Sequence, residues 1–248
     1  MTSTAALLLA GCTSSTTEPA PSTTSAEAGG STTSTSSATS GQAQPFTVVE
    51  SAHTSTPGAG EGTFVHWAAL LRNPNTTHYG AFPVITVTAR DTGGQVLASQ
   101  QQTLNALPPG ADIAWAGLVE APAEPAAVEV TYATVEWYPT RTTPADYPPF
   151  TTTGVQRSGD EHSRQVVGEL ASPFSQAVGS MAVTVLYRDG AGKLLTGTTG
   201  YVDALPAAGT VPFSVVDLTG LPQQPAEIEV YAVPWGGSPE EWNWLAGA

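Results

Sequence analysis

Val84-Ile85-Thr86-Val87-Thr88-Ala89-Arg90-Asp91-Thr92-Gly93-Gly94-Gln95-Val96-Leu97 is the stretch that decides the fold, because the chain says it twice. It returns as Val183-Thr184-Val185-Leu186-Tyr187-Arg188-Asp189-Gly190-Ala191-Gly192-Lys193-Leu194-Leu195. Ile85, Val87 and Ala89 alternate with Thr86, Thr88 and Arg90, the two-residue period of a strand with one face in a core. Asp91-Thr92-Gly93-Gly94 and Asp189-Gly190-Ala191-Gly192 read as hairpin turns, since glycine accepts positive φ without steric cost.

The repetition extends outward in both directions. Trp67 to Leu71 then Asn73-Pro74 match Val166 to Leu170 then Ser172-Pro173. Ala106-Leu107-Pro108 match Ala204-Leu205-Pro206, and Ile113 and Trp115 match Val211 and Phe213. Pro125 to Val130 match Pro225 to Val230. A unit of this length is an independent domain and not a solenoid repeat. Each copy holds six or seven strands, which predicts an all-β protein of two tandem immunoglobulin-like β-sandwich domains at 45–138 and 150–248. The Pro-rich stretch 139–149 is expected to be a short, stiff linker. Ser238-Pro239-Glu240-Glu241 predicts a short C-terminal helix through Leu245: Ser caps it, Pro suits its first turn, and Glu241 completes a capping box.

The N-terminus differs in kind. Ala5 to Ala10 form an apolar run too short to cross a bilayer, followed by Leu9-Ala10-Gly11-Cys12. This resembles the lipobox of bacterial lipoproteins, with 1–12 as signal peptide and lipobox. The resemblance implies that the Cys12 sulfur takes a diacylglyceryl group and that cleavage before Cys12 makes this residue the new N-terminus; two acyl chains give stable anchoring. Cys12 is the only cysteine. No Lys or Arg precedes the run, whereas export signals begin with a positive segment, which points to a start upstream of Met1. Residues 13–44 contain 18 Ser or Thr in 32, with no Val, Leu, Ile or aromatic. Such a segment buries too little apolar surface to offset its ordering entropy, so it is expected to be a disordered tether spanning roughly 30 Å.

A second resemblance rests on Leu71-Arg72-Asn73-Pro74-Asn75, the 84–97 strand and turn, and Leu107-Pro108-Pro109-Gly110. Together with 183–195 this is similar to FxLYD-type domains of bacterial envelope lipoproteins, although neither copy has the name-giving Phe. The resemblance implies a β-sandwich envelope module and assigns no catalytic residue.

Composition narrows the partners. Twenty-one acidic against seven basic residues give a net charge of −14, which argues against nucleic acid and against a basic patch for anionic lipid. No phosphate loop, nucleophile elbow or dinucleotide fingerprint occurs, so no catalytic residue, cofactor or metal is expected. His66, opposite Trp67, reads as a surface strand residue. His162 beside Asp160 and Glu161 reads as a polar loop more readily than as a metal site. Asp91 and Asp189 read as turn formers and not calcium ligands, with Arg90 and Arg188 in neighbouring salt bridges. The Asn75-Thr76-Thr77 glycosylation pattern reads as coincidence.

Aromatics supply the remaining candidates. Trp67, Trp115 and Phe213 are expected in the cores. Trp137, Tyr138, Tyr147, Trp235, Trp242 and Trp244 gather near the two domain exits. They are candidate contacts for a cell-wall component or envelope protein, with packing at the junction as the plainer role. The expected function is that of a non-enzymatic protein, lipid-anchored through Cys12 on the extracytoplasmic face of the cell membrane, which binds or spaces something in the envelope. The rivals are a wall-polymer binder using exposed aromatics, and an envelope enzyme with a diffuse site around Asp160, Glu161 and His162.

Overall fold

The computed structural model describes residues 42–58, 60–133, 135–160, 163–221 and 224–247. Cys12, the lipobox, residues 13–41, Glu161 and His162 lie outside the described residues. Gly41–Ala248 form one compact unit.

The first repeat contributes β1 (Thr47–Pro57), β2 (Thr63–Arg72), β3 (His78–Ala81), β4 (Val84–Arg90), β5 (Val96–Thr103), β6 (Asp112–Ala121), β7 (Ala127–Tyr132) and β8 (Glu136–Pro139). The second contributes β9 (Thr151–Ser158), β10 (Gln165–Ala171), β11 (Met181–Arg188), β12 (Leu194–Val202), β13 (Thr210–Val216) and β14 (Glu227–Pro234). Helix α1 (Pro239–Leu245) closes the chain. The all-β class and the terminal helix follow the sequence expectation, including the cap: Ser238 Oγ accepts from the Glu241 amide at 3.2 Å. The second repeat has six strands, within the expected six or seven; the first has eight, because β3 and β8 pair as a small extra sheet.

Each repeat pairs its strands internally and antiparallel. The orders are β1-β2-β6 with β5-β4-β7, then β9-β10-β13 with β12-β11-β14. β1, β2, β4, β5, β6 and β7 thus correspond in order to β9 to β14. Both 84–97 and 183–195 form the expected hairpins. Asp91 Oδ1 accepts from the Gly93 and Gln95 amides, and Asp189 Oδ1 from those of Ala191 and Lys193, all between 2.8 and 3.0 Å. Gly94 and Gly192 supply φ of 82° and 79°.

The two sandwiches stack. β12 lies against β1, β2 and β6, and β6 also meets β11 and β14. Four sheets therefore lie in sequence, with β1-β2-β6 against β12-β11-β14 at the seam. A seam between sheets needs apolar side chains on faces that an isolated sandwich would turn to water. Ala68, Leu70, Ala114 and Ala116 supply one side, Leu186 and Leu194 the other. This overturns the simple alternation expected of β2. Trp67, Ala69 and Leu71 enter the first core, and His66, Ala68 and Leu70 are buried as well. His66 is not a surface residue: it is 4% exposed, with its ring Nε2 2.8 Å from Thr56 Oγ1.

The outer sheets end the stack by composition. Where β2 has Ala68 and Leu70, β10 has Val167 and Glu169. Where β6 has Ala114 and Ala116, β13 has Pro212 and Ser214, both exposed. Pro212 in edge strand β13 also removes a donor that another strand would need.

Candidate functional site

Polar contacts sew the seam and leave little of it for chemistry. Thr199 Oγ1 accepts from the amide of Ala116 on edge strand β6 at 3.1 Å, and Thr196 Oγ1 donates to the His66 carbonyl at 3.1 Å. The Arg188 guanidinium holds both carboxylate oxygens of Glu50 in the first repeat and pairs with Glu229 Oε2 at 2.9 Å. Its counterpart Arg90 makes a looser pair with Glu129 at 3.6 Å in open solvent. The salt bridges expected at both arginines are present, but only one of them joins the repeats.

Asn73 and Asn75 are structural. The Asn73 amide nitrogen lies 2.8 to 3.1 Å from the carbonyls of His78, Leu107 and Pro108. The Asn75 side chain exchanges bonds with the Gln44 backbone, donating at 2.8 Å and accepting at 2.7 Å. A buried amide with both ends committed has no room for a glycan.

A second buried polar group went unread in the sequence. Arg157 and Asp217 form an ion pair at 2.6 Å with both side chains almost wholly buried. Arg157 also donates to the Leu221 carbonyl at 2.9 Å and lies 5.6 Å from the Tyr187 ring centroid. Asp217 Oδ1 accepts from the Thr219 amide and hydroxyl. Burial pushes the Tyr187 phenol far up. The ion pair and these bonds hold the 217–221 loop in place. Sequence spacing of 60 residues gave no sign of it.

The six candidate aromatics divide. Trp137 packs on Phe46 at 4.8 Å between ring centroids. Tyr147 is buried, its ring edge-on to Trp242 at 5.9 Å and its hydroxyl bonded to Tyr79 and Thr142. Trp242 donates to the Ala106 carbonyl of the first repeat at 2.9 Å and meets Phe174 of the second. Tyr147 and Trp242 are junction packing, whereas Trp137 packs within the first repeat. Tyr138, Trp235 and Trp244 are exposed. No ring contact joins them to one another among the described residues.

Two exposed aromatics outside that set matter as much. Tyr201 meets Trp235 edge-on at 4.9 Å, and Trp235 stacks at 5.5 Å on the buried Trp115. Tyr201 is 52% and Trp235 39% exposed. The first repeat has Thr103 where the second has Tyr201, and that difference between copies was the available signal. Phe82 is 41% exposed at a φ of 40°. A left-handed conformation costs a non-glycine residue about 1 to 3 kcal/mol.

Two clefts among the described residues have aromatic walls and carboxylates. One, of about 340 Å³, lies at the junction and is walled by Tyr147, Pro148, Pro149, Phe150, Tyr231 and Trp242. Its carboxylate, Asp112, is held by Arg72 at 2.7 Å. The other, about 430 Å³, lies between Phe82, Val84, Val135, Tyr138 and Pro239, with Glu136 and Glu240. Among the described residues no three His, Cys, Asp or Glu side chains gather to hold a metal, and no helix is long and apolar enough to cross a membrane.

No family model matches this chain, and no curated protein does. Among solved structures, red sea bream transglutaminase aligns with 79% of this chain and 30% of its own length, at 13% identity and a TM-score of 0.22. The chain thus spans about a third of that protein. A TM-score this low falls short of a shared fold, and no activity follows from it.

Proposed function

We propose that the chain is a non-enzymatic, lipid-anchored module of the extracytoplasmic face that binds a cell-wall polymer through exposed aromatic rings. The observation that carries the binding role is Trp235, stacked on buried Trp115 with Tyr201 at its edge. Aromatic area held in water by a rigid underlayer loses little entropy on binding, and sugar faces stack on such rings. Supporting the placement are the Leu9-Ala10-Gly11-Cys12 motif and the Ser/Thr-rich stretch that follows it.

Two experiments test the halves of this reading. Cys12→Ala is expected to move the protein from the membrane fraction to the medium and to abolish palmitate labelling; full membrane retention refutes the anchor. Trp235→Ala and Tyr201→Ala are expected to reduce retention on an isolated cell-wall fraction at least tenfold with the fold intact. Equal retention of wild type and both variants removes the aromatic contact from the account.

A further inference from the structure

The cleft beside Phe82 has a composition that selects a ligand class. Its walls are the exposed rings of Phe82 and Tyr138, backed by Val84, Val135 and Pro239. It holds two carboxylates, Glu136 and Glu240, and no Lys or Arg lines it. No ion pair joins either carboxylate to a cation among the described residues. Glu136 Oε2 accepts from the Tyr138 hydroxyl at 2.6 Å, which fixes the Tyr138 ring and leaves further acceptor positions on the carboxylate. Glu240 lies in the first turn of α1, where its own backbone amide and then the Ser238 side chain hold its carboxyl below the usual range. The bond to Glu136 raises the Tyr138 phenol above its ordinary value.

Aromatic faces and carboxylates together are the chemistry that recognises an organic cation. The ring quadrupole attracts positive charge within about 6 Å of the centroid, and a nearby carboxylate neutralises it. A strongly hydrated metal ion would gain little from the rings, and an anion would be repelled. A neutral apolar ligand would use the rings and waste the carboxylates. The left-handed backbone at Phe82 keeps an aromatic ring where glycine would sit more easily. We propose that this cleft is a binding site for a small soluble alkylammonium ion, seated on the Phe82 and Tyr138 rings and balanced by Glu136 and Glu240. The site is independent of the lipid anchor and of the Trp235 contact.

The test uses the full chain, titrated with choline chloride against a sodium chloride control and against 3,3-dimethyl-1-butanol, the uncharged isostere of choline. Saturable heat and shifted aromatic proton signals are expected with choline, with the neutral isostere about tenfold weaker or worse. Phe82→Gly accepts the same φ, so its melting temperature should hold while choline binding is lost. Glu240→Gln should weaken binding severalfold and flatten its dependence on salt. Should Phe82→Gly fail to fold, Tyr138→Leu removes the opposing ring and should also abolish binding. Lack of saturation with choline, equal affinity for the neutral isostere, or unchanged binding in the ring and carboxylate variants would each overturn the proposal. None of these outcomes depends on Cys12→Ala or Trp235→Ala.

Discussion

Gly197 of β12 faces Ala68 of β2 across the seam: a Cβ placed on Gly197 would lie 3.1 Å from the Ala68 Cβ and 2.5 Å from the Val185 carbonyl oxygen. The two repeats approach this closely only because both positions carry almost no side chain. Tightly packed interfaces do not relax around added volume without cost.

The seam is therefore sensitive to what the outer sheet tolerates. Leu70 is buried there, and its counterpart in the second repeat is Glu169. Leu70→Glu buries an unpaired carboxylate and is expected to destabilise the unit by about 3 to 5 kcal/mol in urea unfolding. Glu169→Leu, on an exposed face, should leave the midpoint within about 0.5 kcal/mol. Equal effects from the two variants would mean that the repeats are not stacked as described.

Arg188 and Arg90 are matched residues in unmatched settings. Arg188 is mostly shielded and holds Glu50 and Glu229, whereas Arg90 and Glu129 are both well exposed. Arg188→Met is expected to cost about 2 to 4 kcal/mol, because Glu50 and Glu229 lose their shared cation in a shielded place. Arg90→Met should cost under about 1 kcal/mol. Added salt should erase the small effect and leave most of the large one. Similar losses, equally sensitive to salt, would contradict the burial of Arg188.

Removing one member of the Arg157–Asp217 pair isolates the other charge. Asp217→Asn is expected to cost about 3 to 5 kcal/mol, read by chemical denaturation. The loss should appear first as faster amide exchange at Thr219 and Leu221, whose contacts Asp217 and Arg157 organise. A stable Asp217→Asn protein with unchanged exchange would show that the pair is dispensable.

Burial lowers His66 and His53 below the ordinary histidine value of 6.5, against weaker raising effects of Asp217 and Glu124. The unfolded chain then binds more protons than the folded one in that range. Stability is thus fully present above pH 6.5 and declines as pH falls through it. Glu241, raised by burial, acts in the opposite direction closer to the carboxylate range. Melting temperatures at pH 7.5, 6.5 and 5.5 should fall in that order, and His66→Gln should flatten the decline. A flat wild-type profile would place both rings in water.

The duplication, the hairpin turns and the capped terminal helix were legible in the sequence, because each rests on local chemistry. Asp91 and Asp189 bond amides two and four residues on, and Ser238 bonds one three residues on. The misreading of His66 came from treating β2 as a strand with one wet face. Its unbroken apolar run, Trp67 to Leu71, carried the opposite signal. Phe82 and Tyr201 were missed because exposure depends on which neighbours the fold withholds.

Local spacing fixed which residues form strands, turns and helix, since those depend on neighbours a few positions away. Tertiary structure alone decided which sheet faces meet. The burial of the second face of β2 depends on β12, more than a hundred residues distant, and no period within either strand names that partner. The same holds for the partners of Arg188 and Arg157 and for the grouping of Phe82, Tyr138, Glu136 and Glu240. Such contacts arise from the closing of loops and the stacking of sheets, where shape and charge are matched in space.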